Sequence, residues 1–161
     1  GDIRIAISPK RAKTFGVRLR IPQWSEGNFT VKVNGETAAT TLADGYVTVS
    51  RKWRKGDEIS LSLDMTPKVV AADPRVKADE GRRAIQRGPL VYCLEETDNP
   101  AIADAVLEDG AALETSFEPQ LLGGVVAVTA HQKGDDLKFI PYYAWDNREP
   151  GRMEVWVKYE K

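Results

Sequence analysis

Apolar residues recur at every second position along most of this chain, and this pattern restricts its fold more than any other feature of the sequence. A strand that rests one face on a core places successive side chains on opposite sides, so its apolar residues show a period of two. Such runs lie at residues 3–7, 15–21, 29–33, 47–49, 59–65 and 153–159. The segments "PLVYCLE" and "GVVAVTA" are apolar on both faces, which is typical of strands that are covered on both sides. Together these runs predict about ten short strands.

Turn-forming residues separate the strand-like runs at the spacing of hairpins. They are Asn34-Gly35, Asp44-Gly45, Lys55-Gly56-Asp57, Gly88-Pro89 and Gly134-Asp135. No window of a dozen residues carries a helical stripe, and the one candidate helix is a short turn after Asn99-Pro100. We therefore predict an all-β fold, an antiparallel and broadly jelly-roll-like β-sandwich with very little helix.

The strand pattern is weakest over residues 96–120, which are rich in Asp, Glu, Ala and Pro. This stretch predicts a joint between a β-sandwich core of residues 1–97 and a C-terminal β extension of residues 98–161. The extension would complete the same sandwich or pack on it, and a single domain of residues 1–161 is the alternative. Because the sequence begins with Gly1 and enters strand-like "DIRIAI" at once, we expect a piece of a longer polypeptide.

The charge balance argues against a polyanionic partner. The chain has 23 Lys and Arg residues against 24 Asp and Glu residues, a formal net charge of -1. We therefore predict no nucleic-acid partner and no anionic membrane surface. The apolar runs are far shorter than the roughly 20 residues of a membrane span, and the N-terminus lacks the pattern of a signal peptide.

Few residues are suited to catalysis or metal binding. Cys93 is followed closely by carboxylates, which oppose thiolate formation, so we interpret it as a small core residue. His131 precedes a predicted turn and is expected to be solvated. One Cys and one His cannot form a zinc cluster by themselves. Adjacent acidic pairs such as Glu95-Glu96 point to opposite faces of a strand, so we expect solvated surface there, as in "DNREPGR" and "DEGRRAIQR".

The aromatic residues are the remaining candidates for binding. Exposed Trp and Tyr rings can stack on sugars, whereas buried ones close the ends of a sandwich, and both interpretations apply here. The candidates for an interface or a sugar contact are Trp24, Trp53, Tyr142, Tyr143, Trp145 and Trp156. We favour the structural role, and predict that residues 139–160 form a hairpin in which "IPYYAW" lies beside "MEVWV" and Trp156 faces outward.

Four ordered segments resemble one protein family. "FGVRLRIPQWSEGNFTVKVNGE", "DGYVTVSRKWRKGDEISLSLDM", "AIQRGPLVYCLEETDN" and "IPYYAWDNREPGRMEVWV" are similar to the region that follows the catalytic domain in glycoside hydrolase family 127, which includes bacterial β-L-arabinofuranosidases. The resemblance extends from about residue 2 to residue 158 and is weakest over 98–136. Asp146 and Glu149 stand where the family pattern leads us to expect small residues.

The resemblance implies that the catalytic machinery lies outside this sequence. Members of the family carry an (α/α)6-barrel, in which a zinc-bound cysteine is the nucleophile and a glutamate and further cysteines hold the metal. Cys93 matches none of those positions. The resemblance therefore implies a bacterial hydrolase fragment without cofactor, with zinc only in the missing catalytic domain. It leaves the compartment open between periplasm and cytoplasm.

Three functions follow for comparison. The first is a non-catalytic accessory domain that packs against the catalytic barrel of the same polypeptide and stabilises it or the oligomer, with a second copy of the chain as a further partner. The second is a carbohydrate-binding module for arabinose-containing glycans. The third, and least favoured, is a free-standing hydrolase. We favour the accessory domain and predict that this chain alone is not an enzyme.

Overall fold

The computed structural model describes residues 1–25 and 27–161, which form two compact units, Gly1–Met65 and Thr66–Lys161. The first unit contains β1 (Asp2–Ile7), β2 (Lys13–Arg20), β3 (Phe29–Val33), β4 (Glu36–Thr37), β5 (Leu42–Ala43), β6 (Tyr46–Trp53), β7 (Asp57–Leu63) and the 3₁₀ turn η1 (Gln23–Ser25). The second contains β8 (Pro67–Ala71), β9 (Arg82–Arg87), β10 (Leu90–Glu95), β11 (Val106–Glu108), β12 (Ala112–Glu118), β13 (Val125–His131), β14 (Leu137–Pro141), β15 (Met153–Glu154) and β16 (Val157–Glu160). Its 3₁₀ turns are η2 (Lys77–Asp79), η3 (Ile102–Asp104) and η4 (Tyr142–Ala144).

The first unit is a two-sheet sandwich. One sheet has the order β1-β7-β3-β4 and the other the order β2-β6-β5. The alternating apolar residues of both sheets meet in one buried cluster, which includes Leu19, Val47, Trp53 and Ile59. Asn34-Gly35 and Asp44-Gly45 all have positive φ, as a two-residue hairpin turn requires. The strands and turns predicted from alternation and turn chemistry are confirmed here.

The second unit is a nine-stranded sheet with the order β11-β16-β9-β10-β14-β13-β12, to which β8 adds at β9 and β15 at β10. The pairing is antiparallel except between β11 and β16. The central strand β10 contributes Tyr92 and Leu94 to one apolar cluster and Cys93 to another. Because neighbouring residues of a strand face opposite sides, the sheet is covered on both faces at β10.

The all-β prediction is confirmed. Each helix in the described residues is a three-residue 3₁₀ turn, and η3 follows Asn99-Pro100, where the sequence predicted a short turn. None of the helices within residues 1–25 and 27–161 has the length and apolar character needed to cross a membrane.

The expected boundary between residues 97 and 98 falls inside the second unit. Strands on its two sides pair directly, since β10 bonds to β14 and β15 while β9 bonds to β16. The division between compact units comes after Met65 instead. Residues 66–97 therefore share a sheet with the C-terminal residues.

The predicted hairpin of residues 139–160 is wrong. Leu94 of β10 pairs with Phe139 of β14 and also with Glu154 of β15, so β14 and β15 flank β10 on opposite sides. The last apolar run is also broken by a bend between β15 and β16. Val155 packs in the cluster around Cys93, whereas Val157 belongs to the cluster on the other face of β10.

Candidate interaction surface

Exposed aromatic side chains lie on the turn that follows β14, residues 142–145, which we call the aromatic turn. The exposed fractions are 46% for Tyr142 and 64% for Tyr143, and Trp145 is half-buried. The ring centroids of Tyr142 and Trp145 are 6.3 Å apart with 40° between their planes. The turn thus presents two tyrosines to solvent beside a tryptophan that also packs on the core.

Local chemistry fixes the shape of the aromatic turn. Ala144 is buried in the cluster with Cys93. The side-chain amide of Asn147 donates hydrogen bonds to the carbonyl oxygens of Ala144 at 3.3 Å and Trp145 at 2.9 Å. Asp146 follows with φ of 59°, a left-handed conformation that Asp tolerates better than most residues. The chain is therefore held at both ends of the turn.

A buried ionic network anchors the segment that follows the turn. The Arg148 guanidinium donates from Nε to Glu95 Oε2 at 3.0 Å and from Nη2 to the same carboxylate. It also donates to Asp98 from Nη1 at 3.1 Å and from Nη2 at 2.6 Å. The side chain of Glu95 is only 6% exposed and that of Arg148 20%. The backbone N–H of Asp146 donates to the remaining Glu95 oxygen at 2.8 Å, so the network reaches the aromatic turn directly.

The charges in this network support each other. Hydrogen bonding to Asp98 raises the pKa of the Arg148 guanidinium above its ordinary value, and Glu95 adds to the effect. The expectation that Glu95 and Arg148 belong to solvated surface is wrong. Sequence reasoning missed the network because its members are some fifty residues apart (|i−j| = 53 and 50) and no local pattern pairs them.

A second arginine lies near the aromatic turn. Arg87 ends β9, and its buried Nε atom has no hydrogen-bond partner among the described residues. The Tyr92 hydroxyl donates to the carbonyl oxygen of Val126 at 2.9 Å. Burial raises the pKa of Tyr92, and Tyr143 adds to this rise while Arg87 opposes it. Arg87 and Tyr143 are therefore both neighbours of the Tyr92 phenol.

The other predicted aromatic contacts do not join this surface. Trp53 is fully buried in the first unit, and its indole Nε1–H donates to the carbonyl oxygen of Phe15 at 2.9 Å, so it is a core residue and is not accessible to a sugar. Trp24 lies half-buried in η1. Trp156 is half-buried in the bend before β16, where its carbonyl oxygen accepts a hydrogen bond from Arg82 at 2.8 Å.

Cys93 and His131 are unsuited to nucleophilic chemistry. Burial, aided by the charge of Glu95, raises the pKa of the Cys93 thiol to about 12, which confirms it as a core residue. His131 ends β13 on the surface, with Nδ1 2.7 Å from Asp136 Oδ2 and Nε2 3.2 Å from Glu114 Oε2. The Asp136 hydrogen bond raises the pKa of His131.

The described residues also do not fit a zinc ion. Within residues 1–25 and 27–161, no three His, Cys, Asp or Glu side chains are placed to share a metal. A cleft of about 490 Å³ near η3 has five carboxylate residues in its lining, Asp98, Asp104, Glu108, Asp135 and Asp136. None of the six predicted aromatic residues lines this cleft.

Fold and surface together define a β-rich region of two consecutive domains, without a catalytic constellation in the residues described. Residues 67–158 match the model of the glycoside hydrolase family 127 C-terminal domain, and residues 1–65 match that of the β-L-arabinofuranosidase, GH127 middle domain. The chain belongs to glycoside hydrolase family 127, and it comprises the middle and C-terminal domains of a member. The two matched ranges meet where the two compact units meet.

Known relatives are bacterial enzymes. The chain is 40% identical to a non-reducing end β-L-arabinofuranosidase of Bifidobacterium longum subsp. longum, with 98% of the chain and 28% of that protein aligned. A solved GH127 β-L-arabinofuranosidase from Geobacillus stearothermophilus T6 is 39% identical with a TM-score of 0.89, covering 99% of the chain and 29% of that structure. A solved GH127 β-arabinofuranosidase is 35% identical with a TM-score of 0.86, covering 99% and 30%. The chain thus spans less than a third of the length of these relatives.

Proposed function

We propose that this chain is a non-catalytic accessory region of a GH127 glycoside hydrolase, and that it stabilises the catalytic portion by docking through the aromatic turn. The observation that carries the proposal is the pair of exposed tyrosines on a turn held by buried charges. The identity to β-L-arabinofuranosidases supports an enzyme of that kind as the parent protein.

The aromatic turn has the energetics of a docking site. Covering the exposed 64% of Tyr143 is worth about 3 kcal/mol before the costs of association are subtracted. The Glu95–Arg148–Asp98 network and the Asn147 hydrogen bonds order the turn before any partner arrives. A partner therefore does not have to offset the entropy of ordering it.

The same chemistry argues against catalysis by the chain alone. Its one thiol is buried with a pKa of about 12, and its one histidine is engaged by two carboxylates. A nucleophile needs an accessible and activated group. We propose that the chain has no hydrolase activity and binds no cofactor by itself.

Carbohydrate binding is the second candidate, because exposed tyrosines also stack on sugars. The 40° angle between the Tyr142 and Trp145 rings does not make one flat platform, which favours a protein surface over a sugar ring as the partner. Titration of the chain with an L-arabinose-containing oligosaccharide, followed by tryptophan fluorescence, tests this candidate. Saturable quenching would favour the binding module over docking.

The test of the accessory role compares the parent polypeptide with and without this chain. We expect deletion of the chain to lower the melting temperature of the remaining portion by several degrees or to make it insoluble. The isolated chain is expected to leave an aryl β-L-arabinofuranoside intact. Hydrolysis by the isolated chain, or an unchanged melting temperature after deletion, would contradict the proposal.

A further inference from the structure

The starting observation is the buried Arg87 Nε–H, which has no acceptor among the described residues. A buried donor without a partner costs free energy, and native proteins rarely retain one without a reason. The ion pairs among the described residues engage Arg75, Arg82 and Arg148 but not Arg87. The isolated chain therefore leaves this donor unsatisfied.

Arg87 is placed where a docked surface would find it. It ends β9 and pairs with Leu90 across the turn to β10, two residues before Tyr92. Tyr143, the most exposed ring of the aromatic turn, lies close enough to the Tyr92 phenol to affect its pKa, as Arg87 does. The Tyr92 hydroxyl already donates to Val126. Donor capacity at this border of the aromatic turn is thus concentrated in Arg87.

We propose that Arg87 binds a carboxylate side chain of the protein surface that docks on the aromatic turn, namely a surface of the catalytic portion of the same hydrolase. The inference rests on the proposed function. A guanidinium donates two parallel hydrogen bonds to a carboxylate, a geometry that lysine cannot reproduce. Docking removes further water from Arg87, and a partner with negative charge offsets that desolvation where a neutral acceptor does not.

The experiment uses the full-length hydrolase with a protease site inserted before Gly1. After cleavage, the dissociation constant of the two pieces is measured by isothermal titration calorimetry for wild type, Arg87→Met and Arg87→Lys. Arg75→Met is the matched control, because Arg75 is exposed and already paired with Asp73. We expect Arg87→Met to weaken association by at least about 30-fold, which is the low end for truncating one partner of a buried charge pair. Arg87→Lys should lose less, because the ammonium still attracts a carboxylate, and Arg75→Met should have no effect.

A second measurement separates docking from folding. In the isolated chain, Arg87→Met removes an unsatisfied donor, so the melting temperature should be unchanged or higher. A large drop there would assign Arg87 a structural role and overturn the inference. Equal affinity of wild type and Arg87→Met would overturn it while leaving the proposed function intact, and equal losses in Arg87→Met and Arg87→Lys would exclude the carboxylate. Wild-type pieces that separate after cleavage would instead contradict the proposed function.

Discussion

Arg148→Met is the substitution that most sharply tests how the aromatic turn is anchored. It removes a guanidinium that contacts two carboxylates and leaves Glu95 nearly inaccessible to water without its cation. Breaking one side of a buried ion pair typically costs 3–5 kcal/mol. Glu95 keeps the Asp146 N–H, and Arg148 is 20% exposed, so we expect a loss near the lower end, about 3 kcal/mol.

The loss should be measured in the second unit alone. Hydrogen exchange of the β10 and β14 amides in increasing urea reports the unfolding free energy of that unit. Arg75→Met is again the control, since the Arg75–Asp73 pair is exposed and its loss should leave stability at the wild-type value. Adding Glu95→Gln to Arg148→Met should restore part of the stability, because the unpaired charge disappears. Equal stability of the Arg148 and Arg75 variants would refute the account of a buried network.

Three further predictions concern single residues. Trp53→Phe should destabilise the first unit by about 1–3 kcal/mol in urea unfolding followed by circular dichroism, because the Phe15 carbonyl loses its donor and the smaller ring leaves space; wild-type stability would contradict the burial of Trp53. Cys93 should resist iodoacetamide in the native chain and react in urea, because it is buried with a pKa of about 12; rapid native alkylation would contradict this. The pKa of His131 is raised in the fold, so its stabilisation is complete below the unfolded pKa and is lost as pH rises through the folded one. His131→Asn should flatten the fall in melting temperature between roughly pH 6 and 8, and an unchanged slope would contradict the pairing with Asp136.

The strands were largely predictable because alternation is a local property. In β7, Ile59 and Leu61 are buried as their period of two requires. The Asn34-Gly35 turn has the positive φ values that its residues favour. Each of these features depends on neighbouring residues alone, so the all-β class follows from the sequence.

The arrangement of the strands was less predictable because pairing depends on distant residues. Nothing near Leu94 indicates that its neighbours are Phe139 on one side and Glu154 on the other. The same limit explains the predicted joint near residue 97: composition weakens there, although the strands on both sides share one sheet. Composition reports local strand propensity and does not report which strands pair.

The candidate surface was predicted in part. Tyr142 and Tyr143 were among the six aromatic candidates and are exposed, while Trp53 in the same set is buried. Two tryptophans in similar charged, strand-end segments can differ completely in exposure, because a partner sheet decides which is covered. The Arg148 network and the unpaired Arg87 Nε were not predicted, since both depend on contacts that form only in three dimensions.

Hydroxyl-radical footprinting of Tyr143 tests the docking of the aromatic turn most directly. The oxidation rate of this ring is compared between the isolated chain and the full-length hydrolase, with the exposed Phe117 of β12 as an internal reference. If the aromatic turn docks on the catalytic portion, Tyr143 should be oxidised several-fold more slowly in the full-length protein relative to Phe117. Equal relative rates in the two proteins would contradict the proposed role of this surface.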